Sequence, residues 1–271
     1  MRITYLLAAI ALVSLTRCKK MPNDGYPFYL RINEVQLNTQ SVTQGANTNG
    51  ITDVWIEANS TNLGGNQFPI EMPILEEGTV RLVIQAGIKA NGFAEARIMY
   101  PFYAADTATL TNVKRLDKII HKPIFTYKPL TKFRFLEDFE FGNQFSYTMD
   151  KVNNGDVAYG NWCGKLSINS TQTEKETQST TAMVLPGGTE SWIEFDYKAD
   201  ASFEVGIYAG PNRLSKLFLF PKQNWTKFYL NVGNEIGTYK GEQFNIFFKV
   251  KMPEGASSAN VWIDNVKLLT F

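Results

Sequence analysis

Along most of this chain apolar and polar residues alternate one for one in short runs, and Gly, Pro, Asn and Asp cluster between the runs. Alternation with period two puts every second side chain on one face, which makes a half-buried β-strand. A helix needs apolar residues three and four apart. Residues 28–35, 52–58, 67–73, 80–86 and 96–103 follow the strand pattern, and turn-forming clusters at 44–50, 62–66, 76–79 and 89–93 separate them. Strands at this spacing, with no helical period between them, predict an antiparallel sandwich. Residues 104–131 are less regular. The stretch 111–120 reads as a strand or a helical turn, and Pro123 and Pro129 bracket an extended piece. The first domain is expected to end near residue 130.

From residue 133 the alternation continues through 133–140, 164–168, 191–198, 201–209, 216–220, 225–232, 243–250 and 260–269. Two polar stretches, 153–160 and 170–181, read as loops. The pattern sorts side chains by face. Ile193, Phe195 and Tyr197 lie opposite Trp192, Glu194, Asp196 and Lys198. Phe203, Val205, Ile207 and Ala209 lie opposite Glu204 and Tyr208, and Phe228, Leu230 and Val232 lie opposite Trp225, Lys227, Tyr229 and Asn231. The apolar sets are the expected core, and they suffice for a second domain with a core of its own. The expected fold class is all-β: an N-terminal immunoglobulin-like β-sandwich and connector over 28–130, then a second β-sandwich over 131–271.

Four segments of the second half, in this order, carry a resemblance: Phe139-Glu140-Phe141-Gly142, Gly164-Lys165-Leu166-Ser167-Ile168, Trp225-Thr226-Lys227-Phe228-Tyr229-Leu230, and Val261-Trp262-Ile263-Asp264-Asn265-Val266-Lys267-Leu268. Residues 132–271 resemble the jelly-roll family of carbohydrate-binding-module-like (galactose-binding-like) domains. The resemblance implies a jelly roll whose first and last strands are neighbours. In related modules a carboxylate near the first strand and an Asp in the last share a structural Ca²⁺, which implies Glu140 and Asp264 as ligands, with Asp138 a third. Ca²⁺ takes roughly six to eight oxygens, so backbone carbonyls would supply the remainder. The alternative role for Asp264 is to accept hydrogen bonds from loop backbone.

The N-terminus fixes an expected location. Arg2 precedes an almost unbroken apolar run over 3–15, closed by Leu15-Thr16-Arg17-Cys18. The run is about 13 residues, short of the roughly 20 that span a bilayer. A basic start and a short apolar core are a secretory signal. Ending at a cysteine, it resembles a bacterial lipoprotein signal, in which the Cys is lipidated and becomes the new N-terminus. Leu15 fits that pattern, whereas Arg17 stands where the family carries a small residue. The reading is a signal peptide over 1–18, a tether over 19–27 and a lipid anchor on Cys18. With that signal, the first domain is similar to surface lipoproteins of the Bacteroidota type, which implies an outer-membrane, cell-surface location.

Charge and residue types exclude several functions. Lys and Arg number 27 against 26 Asp and Glu, with no basic block, so nucleic acid is not an expected partner. With Cys18 lipidated, Cys163 has no disulfide partner and reads as a small buried thiol. The single histidine, His121, falls in the connector. Glu194-Phe195-Asp196-Tyr197-Lys198 resembles the Glu-x-Asp-x-Glu strand of laminarinase-type jelly-roll glycosidases, but Lys198 occupies the place of the acid. No phosphate loop and no Cys/His cluster is present.

A binding face remains. Trp192, Asp196, Tyr208 and Tyr229 fall on the non-core sides of their strands, where aromatic rings among polar groups suit stacking on sugar rings. Alternatively loops or the first domain cover them. The reading at this level is a non-enzymatic, outer-membrane-anchored lipoprotein. Its role is that of an accessory subunit of an envelope transport or secretion complex. The alternatives are a glycan-binding surface lipoprotein of a nutrient-uptake system and a glycoside hydrolase.

Overall fold

The computed structural model describes residues 25–153 and 155–271, so the signal peptide, most of the tether and Cys18 lie outside the described residues. The all-β expectation holds. Beyond strands, the described residues form two short helices, α1 (Ser41–Gln44) and α2 (Gly233–Thr238), and a 3-10 turn at Ala90–Gly92.

The first domain comprises β1 (Phe28–Ile32), β2 (Gln36–Leu37), β3 (Asp53–Ala58), β4 (Thr61–Gln67), β5 (Ile70–Ile74), β6 (Gly78–Lys89), β7 (Arg97–Met99), β8 (Asp106–Val113), β9 (Lys118–Ile120) and β10 (Ile124–Phe125). One sheet runs β4-β3-β6-β7 with β8 also on β6. The opposing layer is split into β5-β1-β9 and the pair β10-β2. The β1–β9 and β10–β2 pairs are parallel. Phe28, Leu30 and Ile32 from one layer meet Val54, Ile56, Leu82 and Ile84 from the other. This is the alternation read from the sequence.

The second domain comprises β11 (Lys132–Glu137), β12 (Asp150–Val152), β13 (Cys163–Asn169), β14 (Glu174–Gln178), β15 (Met183–Val184), β16 (Ser191–Ala199), β17 (Phe203–Ala209), β18 (Asn212–Leu219), β19 (Lys222–Asn231), β20 (Gln243–Lys251) and β21 (Ser258–Thr270). A front sheet, β12-β13-β21-β16-β19 with β11 on β21, packs on a back sheet, β14-β20-β17-β18 with β15 on β20. The first and last strands, β11 and β21, are antiparallel neighbours, as in a jelly roll. Ile193, Phe195, Phe228, Leu230 and Ile263 of the front sheet meet Phe203, Val205, Ile246 and Phe248 of the back sheet in one core.

Two strands lie in stretches read as a loop or a turn. β14 lies in a stretch read as a loop. It is the back sheet's edge, with Thr177 buried and the rest of Glu174–Gln178 at least partly exposed. Charged side chains on an edge strand discourage further pairing, and they hide the strand's alternation. β4 covers a segment read as a turn. It pairs with β3, where the Trp55 ring lies so close to Gly65 that a Cβ there would strike the indole. The glycine belongs to the packing and not to a turn.

The second domain's front sheet has a further layer on it. Trp192, Tyr229 and Leu269 point away from their own core and join the core of the first domain, 1%, 2% and 0% exposed. The Tyr100 ring sits 5.5 Å from Trp192 and 4.9 Å from Tyr229. A bulge makes this possible in β21. Asn265 has φ of 48°, and the pairing with β16 slips between Glu194 and Asp196. One extra residue inverts the parity of the strand. Val266 and Leu268 therefore face the sandwich core, while Lys267 and Leu269 face the first domain.

The two domains are thus welded by a shared core. Trp192→Ala is expected to destabilise the full chain by about 3–5 kcal/mol, the range for truncating a buried large aromatic, read by urea unfolding. Residues 132–271 alone should self-associate in sedimentation, because they expose that face. An unfolding midpoint unchanged by the substitution would show that the seam carries no stability.

Candidate functional site

The expected binding face is distributed over two surfaces. Trp192, Asp196 and Tyr229 share the outer side of the front sheet, as alternation requires, but that side is buried under the first domain, with Asp196 3% exposed. Tyr208 lies on the outer side of the back sheet, where its hydroxyl donates to Glu176 at 2.6 Å. The four residues therefore form no common open platform. Alternation determines faces within a strand. It does not determine which sheet the strand joins or what covers it.

What covers Trp192 and Asp196 is an interdomain seam of buried charge. Glu194 accepts hydrogen bonds from the hydroxyls of Tyr100 at 2.8 Å and Tyr127 at 2.7 Å. Burial, and then the Glu194 charge, hold both phenols well above their ordinary range. Lys267 donates to the Ala46 carbonyl at 2.9 Å and to the Tyr127 hydroxyl at 3.2 Å. Asp196 accepts from Thr48 at 2.6 Å and Asn265 at 3.1 Å, with the Lys227 ammonium at 3.4 Å. The two carboxylates of the glycosidase-like strand are thus enclosed and hydrogen-bonded across the seam. Cys163 is buried, and burial pushes its thiol up to about 12, which leaves it protonated and inert near neutrality.

Burial also depresses the Lys267 ammonium from 10.5 to about 7. The unfolded chain then binds more protons than the folded one between those values, so this group makes stability rise with pH from about 7 toward 10. Asp264 acts oppositely, because burial raises its carboxyl to about 8. The Lys267 contribution is isolated by difference. Wild type is expected to gain stability over Lys267→Met as pH rises from 7 to 10, in urea titrations. A constant difference would mean that Lys267 keeps its proton and its charge in the fold throughout.

The Ca²⁺ expectation for Glu140, Asp264 and Asp138 does not fit the donors around them. Glu140 accepts from the backbone N–H groups of Asn161 at 2.7 Å and Trp162 at 3.0 Å and from the Asn161 amide. Asp264 accepts from the N–H groups of Ala158 and Tyr159, both at 3.2 Å, and of Asn265 at 2.7 Å. Asp138 accepts from the N–H of Glu140 at 3.1 Å. N–H dipoles aimed at these oxygens favour the anion and repel a cation. Among the described residues no group of three or more His, Cys, Asp or Glu is placed to hold a metal ion. The two carboxylates instead hold the 156–162 loop to the segment after β11 and to the middle of β21.

An open site does exist at the edge of the same seam. A cleft of about 420 Å³ is lined from the first domain by Gly50, Lys89, Asn91 and Phe93, and from the second by Tyr197, the β18–β19 hairpin and Phe228. Its volume falls within the range of small-molecule sites. The 3-10 turn at Ala90–Gly92 sets one wall. Asn91, at φ 54°, accepts the backbone N–H of Asn231 at 2.8 Å, which docks the turn on β19. Gly92, at φ 72°, approaches the Phe228 ring so closely that a Cβ there would lie 2.6 Å from it. The Gly50 N–H donates to the Tyr229 hydroxyl at 3.0 Å and ties down the loop opposite.

Three phenyl rings line this cleft while remaining exposed: Phe93 at 53%, Phe218 at 69% and Phe220 at 77%. None of them was among the expected site residues. The signal was present in 216–220, where Leu217 and Leu219 take the inward positions and leave Phe218 and Phe220 outside. Phe93 carried no such signal, since it sits in a turn.

No family model matches the chain, and no curated protein matches it. Among solved structures, a family 61 carbohydrate-binding module complexed with β-1,4-galactotriose is similar over 49% of this chain and 94% of that one, at 13% identity and a TM-score of 0.36. The K3 cleaved adhesin domain of Lys-gingipain from Porphyromonas gingivalis is similar over 51% of this chain and 98% of that one, at 13% identity and a TM-score of 0.35. A Stig cyclase from Fischerella sp. TAU, of which this chain spans 66%, is similar over 43% of this chain at 12% identity and a TM-score of 0.34.

Proposed function

We propose that this protein is a non-enzymatic, carbohydrate-binding lipoprotein of the outer membrane, and that the interdomain cleft is its binding site. The observation that carries the reading is the trio Phe93, Phe218 and Phe220 around one cleft. Large aromatic side chains left in water cost free energy unless something covers them. Pyranose rings have apolar faces that stack on such rings, and their hydroxyls need polar partners. Asn91, Thr226, Lys89 and Lys222 at the cleft provide these. Both domains contribute, so the reading gives their fusion a purpose. The role as an accessory subunit of an envelope complex is kept as a second reading. It is supported by Phe141 and Tyr147, which stand 100% and 95% exposed between β11 and β12, a place suited to a protein partner.

The test is binding of the full chain in detergent to an oligosaccharide array, followed by titration of the best ligand. Phe220→Ala and Phe218→Ala should each weaken binding by about 1 kcal/mol or more, as aromatic anchors do, with the melting temperature unchanged because both rings are exposed. An array with no bound oligosaccharide would refute the reading.

The anchor is tested separately. Acylated Cys18 should hold the protein in the membrane fraction, since bacterial lipoproteins carry more than one chain, and Cys18→Ser should release it to the soluble fraction. A wild-type chain already soluble, with an unmodified N-terminus, would overturn the anchor.

A further inference from the structure

We infer that the ligand of the cleft is an anionic carbohydrate, one that carries carboxylate or sulfate groups. The inference rests on the carbohydrate reading of this cleft and adds the charge of its ligand. The charged residues that line the cleft are Lys89, Lys222 and Lys227, and no Asp or Glu is among the lining residues. In a chain with 27 basic and 26 acidic side chains, this is a local imbalance.

The three lysines are not equivalent. The Lys227 side chain is 1% exposed, and its ammonium lies 3.4 Å from Asp196 and 3.8 Å from Glu194. Its charge is already compensated within the seam. Lys89 and Lys222 have no ion-pair or hydrogen-bond partner for their ammonium groups among the described residues. Lys89 ends β6 in the first domain and is half-buried, whereas Lys222 begins β19 in the second and is exposed. Each domain thus presents one uncompensated ammonium to the gap between them.

The combination selects a chemistry. The half-buried Lys89 ammonium, partly withdrawn from water, is held at a cost that a bound anion removes, and the exposed Lys222 adds attraction for the same charge. A neutral sugar would satisfy the phenyl rings and leave both lysines unpaired. A small inorganic anion would satisfy the lysines and leave the rings uncovered. A pyranose bearing a carboxylate or sulfate meets both demands at once, with its ring face on Phe218 or Phe220 and its anionic group toward Lys89 or Lys222.

The experiment is titration calorimetry on the full chain in detergent with three tetrasaccharides: a uronic acid chain, the same chain with its carboxyls reduced to alcohols, and a sulfated chain. At least one acidic chain is expected to bind about tenfold or more tighter than the reduced one, with affinity falling as salt rises. Lys89→Gln and Lys222→Gln should each weaken acidic binding by about tenfold, the effect of losing a charged hydrogen bond. Lys251→Gln, outside the cleft, should leave it unchanged. The uronate and sulfate arms identify which anion is taken. Equal affinity for the reduced chain, or acidic binding indifferent to both lysine substitutions, would overturn the inference while the carbohydrate reading stands. Binding of none of the three, together with an empty array, would overturn both.

Discussion

The architecture depends on a buried electrostatic and aromatic seam between the two sandwiches. Glu194 and Lys267 lie at 0% exposure, and their hydrogen-bond partners, Tyr100, Tyr127 and the Ala46 carbonyl, come from the other domain. A charge removed from water is tolerated only when paired and hydrogen-bonded, and breaking such an arrangement leaves the remaining charge stranded. Each domain therefore completes the other's polar groups. The aromatic contacts of Tyr100 with Trp192 and Tyr229 surround that network with an apolar collar and exclude water from it.

From this weld the cleft follows. The 3-10 turn at Ala90–Gly92 reaches β19 only because the first domain is held against the front sheet, and Asn91 and Gly92 then fix its height above Phe228. The space left between that turn and the β18–β19 hairpin is the cleft. A site assembled in this way has walls that neither domain possesses alone. Its aromatic rings, Phe93 against Phe218 and Phe220, and its lysines, Lys89 against Lys222, are divided between the domains, so the shape of the cleft depends on the seam.

The strand carboxylates show how context reassigns residues. Glu194 and Asp196 sit in a pattern resembling a glycosidase strand, yet they serve as structural acceptors under a second domain. Glu140 and Asp264 were expected as metal ligands, yet each faces a set of N–H donors from one loop. In both cases the carboxylate's neighbours, more than its place along the chain, decide its chemistry.

Much of the fold was legible in the sequence because alternation is a local property. The inward sets Ile193, Phe195 and Tyr197, or Phe203, Val205 and Ile207, are fixed by the pleat of a single strand and require no knowledge of the partner. The strands that escaped, β14 and β4, are edges whose burial is too slight to write a pattern. The fate of the opposite faces was not local. Whether Trp192 and Tyr229 meet water or another domain depends on residues such as Tyr100 that lie far away in sequence, and whether Tyr208 joins them depends on which sheet its strand enters. The bulge at Asn265 shows in the sequence only as a slip of the apolar positions from Val261 and Ile263 to Val266 and Leu268, which does not say what Lys267 then faces. The sequence by itself determined the all-β class and the inward faces of most strands, through a period of two along the chain. The tertiary structure alone decided which face was buried and which cleft stayed open, because those depend on contacts between segments that the chain brings together only on folding.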